Sequence, residues 1–251
     1  MPQTTEHFTV EFQGDICVVQ LRPVDKIVFG DFQAMQSLFE LLQDLHARRQ
    51  KVLLIKVESG VLAPEVVDQF WEAVRAERPV RGARREPPRQ RLVTFFNTAI
   101  ERLLPQLLNL DTIVVTAFQG QVDLDLFGTL LVSDYRICTE DTVLANRVLE
   151  QASPPGSALV WSLCRYLGFG AAQDILMEGR SLTASEAREL RLVNRVVTPA
   201  ALEEESVSVA RNLAAKPAAA LVNLKRSFQH VDTDFATYLR STGAGFDSLP
   251  G

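Results

Sequence analysis

The sequence predicts an α/β protein whose last third is helical. Three observations support this class: an opening pattern of strands around one helix, central strands that are continuously apolar, and amphipathic helix patterns towards the C-terminus. Of the 251 residues, 47% are hydrophobic and 23% are charged, which is ordinary for a globular chain with a sizeable core. The composition therefore excludes a disordered chain and a collagen-like one.

The N-terminal elements follow a β-β-α-β order. Residues 8–12 alternate apolar and polar side chains, a Gln-Gly-Asp break follows, and residues 16–21 resume the strand pattern, which is typical of a hairpin. Residues 32–45 carry apolar side chains at helical spacing. Residues 52–57 form a compact apolar run rich in branched side chains, which indicates a strand buried on both faces. A helix between these strands favours a crossover connection.

The middle of the chain combines helix patterns with one further buried strand. Helices are predicted over residues 65–78 and 91–108, with Pro105 expected to kink the second, and a strand over residues 112–118. Between the helices, residues 75–91 hold seven arginines and two glutamates, although the whole chain has a net charge of −5. Because no aromatic residues interleave with these arginines, a solvated loop is favoured over nucleic-acid binding.

The C-terminal part is read mainly as helices. Thr183 and Glu186 fit a capping box at a helix start, and Gly168 is expected to divide one long helix pattern into two helices. The remaining elements, in chain order, are a helix over residues 123–132, a short strand over 136–138, the divided helix over 162–177, a strand over 192–197, and helices over 200–215 and 218–228.

Several function classes are disfavoured by the motifs. The histidines at positions 7, 46 and 230 are far apart and no cysteine pair has ligand spacing, so the sequence predicts no metal site. No Gly-x-Ser-x-Gly elbow occurs, which argues against a serine hydrolase. No apolar run reaches about 18 residues and no secretory signal is visible, so we expect no membrane span. The three scattered cysteines fit a reduced, cytoplasmic protein.

Three segments carry a resemblance to a known family. Residues 176–197, LMEGRSLTASEARELRLVNRVV, resemble the segment L-T-G-x-x-x-x-A-x-E-A-x-x-x-G-L-V-x-x-V of the crotonase (enoyl-CoA hydratase/isomerase) superfamily. The strand at 112–118 with Gln119-Gly120 resembles its strand ending in Asn-Gly, and residues 133–137 resemble its x-C-D-x-x-I segment. The resemblance implies a crotonase-like spiral of ββα units over residues 1–198 and a helical, oligomerising C-terminal segment over 199–251. It also implies a trimer or hexamer.

The family's chemistry implies an oxyanion hole, in which two backbone N–H groups bind a thioester carbonyl oxygen. Ala63 stands at the first donor position, followed by Pro64 where the family has glycine. Asp125 stands at the second donor position, where the family also has glycine. The Asp125 side chain is therefore expected to narrow the oxyanion hole or to place a negative charge in it.

The two glutamates that the resemblance leads us to expect as acid and base are absent. Gly128 and Val148 occupy their positions, so a standard hydratase activity is not expected. Asp123 and Glu150 are the acid–base candidates that remain nearby. The alternatives are that Asp123 caps a helix and that Glu150 is a solvated surface residue.

The resemblance also implies the ligand. Lys225 matches a basic residue that approaches the phosphates of coenzyme A in the family, with a solvated helix lysine as the alternative. No resident cofactor is expected, because the coenzyme A thioester is itself the substrate or ligand. The sequence thus predicts a divergent protein that acts on or binds an acyl-CoA or acyl-carrier thioester. The alternative is an inactive homologue that supports a partner enzyme.

Overall fold

The computed structural model describes residues 5–24, 27–76, 88–150 and 155–230, and these ranges contain nine strands and nine α-helices. Most of the arginine-rich stretch therefore lies outside the described residues. The strands are β1 (Phe8–Gln13), β2 (Ile16–Leu21), β3 (Val52–Val57), β4 (Ile113–Phe118), β5 (Gln121–Asp123), β6 (Tyr135–Thr139), β7 (Val143–Ala145), β8 (Leu182–Thr183) and β9 (Arg195–Val197). The helices are α1 (Phe32–Ala47), α2 (Pro64–Ala76), α3 (Pro88–Asn109), α4 (Leu124–Leu130), α5 (Leu159–Leu167), α6 (Phe169–Glu178), α7 (Ala184–Glu189), α8 (Leu202–Ala214) and α9 (Ala218–His230).

The main sheet has six strands in the order β1-β2-β3-β4-β6-β9. The predicted hairpin is confirmed, since β1 pairs antiparallel with β2, whereas every later pair in this sheet is parallel. Parallel neighbours need crossover connections, and α1 supplies the one between β2 and β3. A second, three-stranded sheet has the order β5-β7-β8.

Both faces of the main sheet are buried, which explains the unbroken apolar runs of its central strands. Leu53 and Val114 point into the large core shared with α1, α3 and α4. Leu54 and Val115 point to the opposite face, where Val209 of α8 covers them. Full burial of a leucine or valine side chain is worth about 1.5–3 kcal/mol, so residues on both faces fix the register of these strands.

The C-terminal helices join the core as well. The side chains of Val209 and Ala210 on α8 pack on the main sheet. The Lys225 side chain on α9 hydrogen-bonds to the residues that directly precede β4 and β6. The two-helix interpretation around Gly168 is confirmed, because α5 ends and α6 begins there with a positive φ of 79°. Among the described residues, no helix is both long and apolar enough to cross a bilayer.

The structure differs from the sequence-based elements at several places, of which three bear on the site or the core. Asp123 ends β5 and caps α4, so this helix begins one residue later than predicted. The strands β5, β7 and β8 were missed, because segments of two or three residues are too short to show an alternating pattern. The predicted strand over 192–197 is shorter, since β9 begins only at Arg195, and Leu192 and Val193 lie in irregular backbone before it with both side chains buried in the core.

Candidate functional site

Two loops meet at the carboxyl ends of the neighbouring parallel strands β3 and β4. The first runs from Glu58 to Ala63, and the second carries Gly120 and β5 into α4. The Asp123 N–H donates to the Leu62 carbonyl oxygen at 2.7 Å, which ties the loops together. The fold therefore brings Ala63 and the N-terminus of α4, the two expected oxyanion-hole positions, into one place.

Ala63 is buried directly before α2, which begins at Pro64. Its N–H lies 3.5 Å from the Gly60 carbonyl oxygen, at the outer limit of a hydrogen bond. Proline is well tolerated in the first turn of a helix because N–H groups there have no partner within the helix. The first donor is therefore held in place but only weakly satisfied.

The second donor is engaged by a side chain of the same segment. The Asp125 N–H donates to Asp123 Oδ1 at 2.9 Å, and the Leu126 N–H donates to the same oxygen at 3.3 Å. The Asp123 side chain is buried and serves as the N-cap of α4. Asp123 therefore caps the helix, which was one of the two interpretations of this residue. A bound carbonyl oxygen would compete with the Asp123 carboxylate for the Asp125 N–H.

The Asp125 carboxylate is bonded to the segment before α5. Its two oxygens accept from the N–H groups of Gly156 and Ser157, each at 3.2 Å. Burial and the nearby Asp123 charge raise the pKa of Asp125 to about 7, against the opposing effect of these two hydrogen bonds. A carboxyl group that titrates near neutral pH, at the start of α4, fits acid–base chemistry.

Helix α4 packs backbone to backbone against the start of α5 at Gly128. A Cβ built on Gly128 would fall on the Ser157 carbonyl oxygen and 2.8 Å from the Leu159 nitrogen. Backbone atoms cannot move aside as a flexible side chain can. The position that matches the first family glutamate therefore has no room for a side chain.

The second glutamate position is apolar and lies beside an ion-pair network. Val148 is buried, whereas the next residues turn to the surface. Arg147 makes a bidentate pair with Asp68 of α2, with N···O distances of 2.7 and 2.9 Å, and also donates to Glu150 at 3.2 Å. The Arg147 hydrogen bond is the main cause of a lowered pKa at Asp68. Glu150, with an exposed side chain, is placed as a surface partner of Arg147.

Lys225 is buried rather than solvated. Its Nζ donates to Asp134 Oδ2 at 2.8 Å and to the Thr112 carbonyl oxygen at 2.9 Å. Asp134 Oδ2 also accepts from the Val114 N–H at 2.8 Å, so this pair anchors α9 to the main sheet. The solvated alternative is wrong, and a contact between Lys225 and a coenzyme A phosphate stays a prediction that would require Nζ to leave these acceptors.

Sequence reasoning missed the segment that precedes α5. Gly156 and Ser157 bind Asp125, and the adjacent Ala158 has a left-handed φ of 60°, a conformation that costs a non-glycine residue about 1–2 kcal/mol. Within the described part of the chain, the buried Ser157 hydroxyl has no hydrogen-bond partner. The Pro155-Gly156 dipeptide signalled a turn, but no local pattern showed that this turn packs against α4.

A protein-family model described as enoyl-CoA hydratase/isomerase matches residues 83–241, more than half of the chain. A carnitinyl-CoA dehydratase of Salmonella arizonae is 31% identical over 122 residues, which cover 49% of this chain and 47% of that protein. The matching Escherichia coli K12 enzyme is 28% identical over 126 residues, covering 50% and 48%. The match thus spans about half the length of these curated relatives.

Solved structures show the same fold over nearly the whole chain. An enoyl-CoA hydratase from Geobacillus kaustophilus superposes with a TM-score of 0.75 at 18% identity, covering 96% of this chain and 89% of that one. An enoyl-CoA hydratase/carnitine racemase from Magnetospirillum magneticum superposes with a TM-score of 0.73 at 20% identity, covering 92% and 83%. The predicted spiral α/β fold with its helical C-terminal region is confirmed.

Proposed function

The chain belongs to the enoyl-CoA hydratase/isomerase family, and we propose that it binds an acyl thioester without catalysing standard hydration. The thioester carbonyl oxygen would accept from the backbone N–H groups of Ala63 and Asp125. The preferred ligand is an acyl-CoA, and an acyl-carrier thioester offers the same carbonyl group.

One observation supports this binding mode above the others. The 2.7 Å hydrogen bond from Asp123 N–H to the Leu62 carbonyl oxygen fixes the two loops that carry the donors. Donors held in advance need little reorganisation when a carbonyl binds, which is the physical basis of an oxyanion hole. The Ala63 N–H is also weakly engaged, at 3.5 Å from its intrachain acceptor, so a ligand oxygen would replace little.

The proposed lack of hydration rests on the two acid–base positions. Hydration requires one group that activates water and one that transfers a proton to the acyl chain. Gly128 carries no side chain and its Cβ position is filled by backbone, while Val148 has no titratable group. Glu150 is engaged with Arg147 on the surface.

Because the Asp125 N–H already donates to Asp123, thioester binding requires a change in the hydrogen bonds of Asp123. Its Oδ1 must release the Asp125 N–H when a carbonyl oxygen binds, although it can keep the Leu126 N–H and so still cap α4. Replacing Asp123 by asparagine keeps a good capping residue and removes a negative charge beside the carbonyl oxygen. Asp123→Asn should therefore bind an acyl thioester more tightly than the unchanged chain does.

The experiment compares two ligands that differ only at the carbonyl group. Butyryl-CoA is a thioester, whereas S-butyl-CoA is a thioether of the same length without the carbonyl oxygen. Isothermal titration should give about three- to tenfold tighter binding of butyryl-CoA, as expected for one net hydrogen bond. Crotonyl-CoA should show no hydration above the buffer rate. Equal affinity for both ligands, or measurable hydration, would contradict the proposal.

A second candidate activity is favoured by the titration of Asp125. Its pKa of about 7 suits a general base that removes the α-proton of a bound thioester, as an isomerase does. Incubating butyryl-CoA with the protein in D₂O tests this, because enolisation exchanges the α-protons for deuterium. Exchange that occurs in the unchanged chain and is lost in Asp125→Asn would support the isomerase candidate. If the unchanged chain shows no exchange, only the proposal of thioester binding remains.

We also propose self-association as a trimer or hexamer. Large apolar side chains are exposed on two helices, Phe169 and Met177 on α6 and Leu224 and Phe228 on α9. Such surfaces commonly pack against a second copy, or against the partner enzyme that an inactive homologue would support. Light scattering should give a multiple of the 27.9 kDa chain mass. The three unpaired cysteines support a reducing compartment, the cytoplasm.

A further inference from the structure

Three potential metal ligands meet where β1 begins and α1 starts, away from the proposed thioester site. Glu6, His7 and Asp31 each offer one ligand atom, and these atoms lie within 4.8 Å of one another. His7 is 2% exposed, and its buried Nε2 has no hydrogen-bond partner among the residues that the structure describes. A buried polar atom without a partner is uncommon in a folded protein and requires an explanation.

The distances in this cluster suit a shared cation better than direct hydrogen bonds. His7 Nε2 lies 3.6 Å from Asp31 Oδ2 and 3.8 Å from Glu6 Oε1. Both distances exceed the usual limit of a side-chain hydrogen bond. Ligand atoms about 2.0–2.2 Å from a tetrahedral zinc ion are separated from each other by about 3.3–3.6 Å. The His7–Asp31 distance meets this range, and the exposed Glu6 side chain would reach it by a small shift.

Asp31 can act as a helix cap and a ligand at once, because its two oxygens face different partners. Oδ1 accepts from the Ala34 N–H at 2.8 Å and caps α1, while Oδ2 faces His7. One carboxylate oxygen of Asp31 therefore remains available to a cation while the other caps the helix.

We infer that Glu6, His7 and Asp31 form a binding site for a divalent transition-metal ion, with Zn²⁺ as the fitting occupant. One imidazole and two carboxylates are suitable zinc ligands, and the two negative charges balance the ion. Imidazole disfavours Mg²⁺ and Ca²⁺, which prefer ligand sets made of oxygen alone. The bound ion would connect the start of the edge strand β1 to the N-terminus of α1.

The test uses the full chain, freed of metal with a chelator and titrated with ZnCl₂ in a calorimeter. The expected result is one Zn²⁺ per chain and a melting temperature that rises with zinc concentration, since a ligand that binds only the folded state stabilises it. MgCl₂ at the same concentrations should leave the melting temperature unchanged.

Two variants and one control make the assignment specific. Glu6→Gln changes an exposed side chain, and Asp31→Asn keeps a capping residue, so both should fold without metal. Each should weaken zinc binding by more than about tenfold, because loss of even an outer-shell partner typically costs 10–100-fold. His46→Ala, an exposed histidine on α1 outside the cluster, should bind zinc as the unchanged chain does. The inference is overturned if zinc does not bind, or if it binds Glu6→Gln and Asp31→Asn with unchanged affinity.

Discussion

Replacing Gly128 by alanine should destabilise the protein by about 2 kcal/mol. The added Cβ would fall on the Ser157 carbonyl oxygen and 2.8 Å from the Leu159 nitrogen, so α4 and α5 must move apart. Overpacking of this kind costs about 1–3 kcal/mol, and rigid backbone neighbours place the cost at the upper end. The higher helix propensity of alanine offsets about 1 kcal/mol of this cost, so the net destabilisation is about 2 kcal/mol.

Gly170→Ala is the matched control for this substitution. Gly170 is exposed in the first turn of α6, and no described residue outside its own helix turn has an atom within 4 Å of a built Cβ. Urea denaturation should therefore show Gly170→Ala equal to or up to about 1 kcal/mol more stable than the unchanged chain. A Gly128→Ala variant as stable as Gly170→Ala would refute the close packing of α4 on α5. It would also show that position 128 has room for a side chain, as a catalytic glutamate there would need.

The remaining predictions concern charges in and near the site. The free energy of unfolding should fall as pH rises from about 4 to about 7 and then level off, because folded Asp125 still binds a proton that the unfolded chain, with a pKa of 3.8, has lost. The full change is at most about 4 kcal/mol, of which about 3 kcal/mol falls between pH 5 and pH 8. Urea melts at these two pH values should show it in the unchanged chain and not in Asp125→Asn. Lys225→Met should cost about 1–3 kcal/mol by removing the charged donor of Asp134, whereas Arg226→Ala, which breaks only an exposed pair, should cost less than about 1 kcal/mol. Equal losses in those two variants in the same urea assay would contradict the anchoring role of Lys225.

The long elements were predictable because their patterns are local. The apolar runs of β3 and β4 and the periodic helix α1 follow from side chains within one segment, and the Thr183–Glu186 capping box forms as its spacing indicates. The spiral arrangement of these elements came from the family resemblance and not from periodicity.

The site was only partly predictable, because its chemistry depends on contacts between distant segments. The family resemblance matched Ala63 and Asp125 to the expected donor positions, but the hydrogen bonds that Asp125 accepts from Gly156 and Ser157 cross about 30 residues. The buried contacts of Lys225 with Asp134 span 91 residues. Likewise, His7 and Asp31 are unremarkable in sequence and meet only when β1 and α1 pack together.

The most direct test of the proposed site observes the thioester carbonyl group itself. Infrared difference spectroscopy of butyryl-CoA labelled with ¹³C at the carbonyl carbon reports the strength of hydrogen bonds to that oxygen. If the N–H groups of Ala63 and Asp125 bind the carbonyl, its stretching frequency should fall on binding, and it should fall further in Asp123→Asn, where the competing carboxylate is removed. A saturated complex whose carbonyl frequency equals that of the free thioester in water would contradict the account.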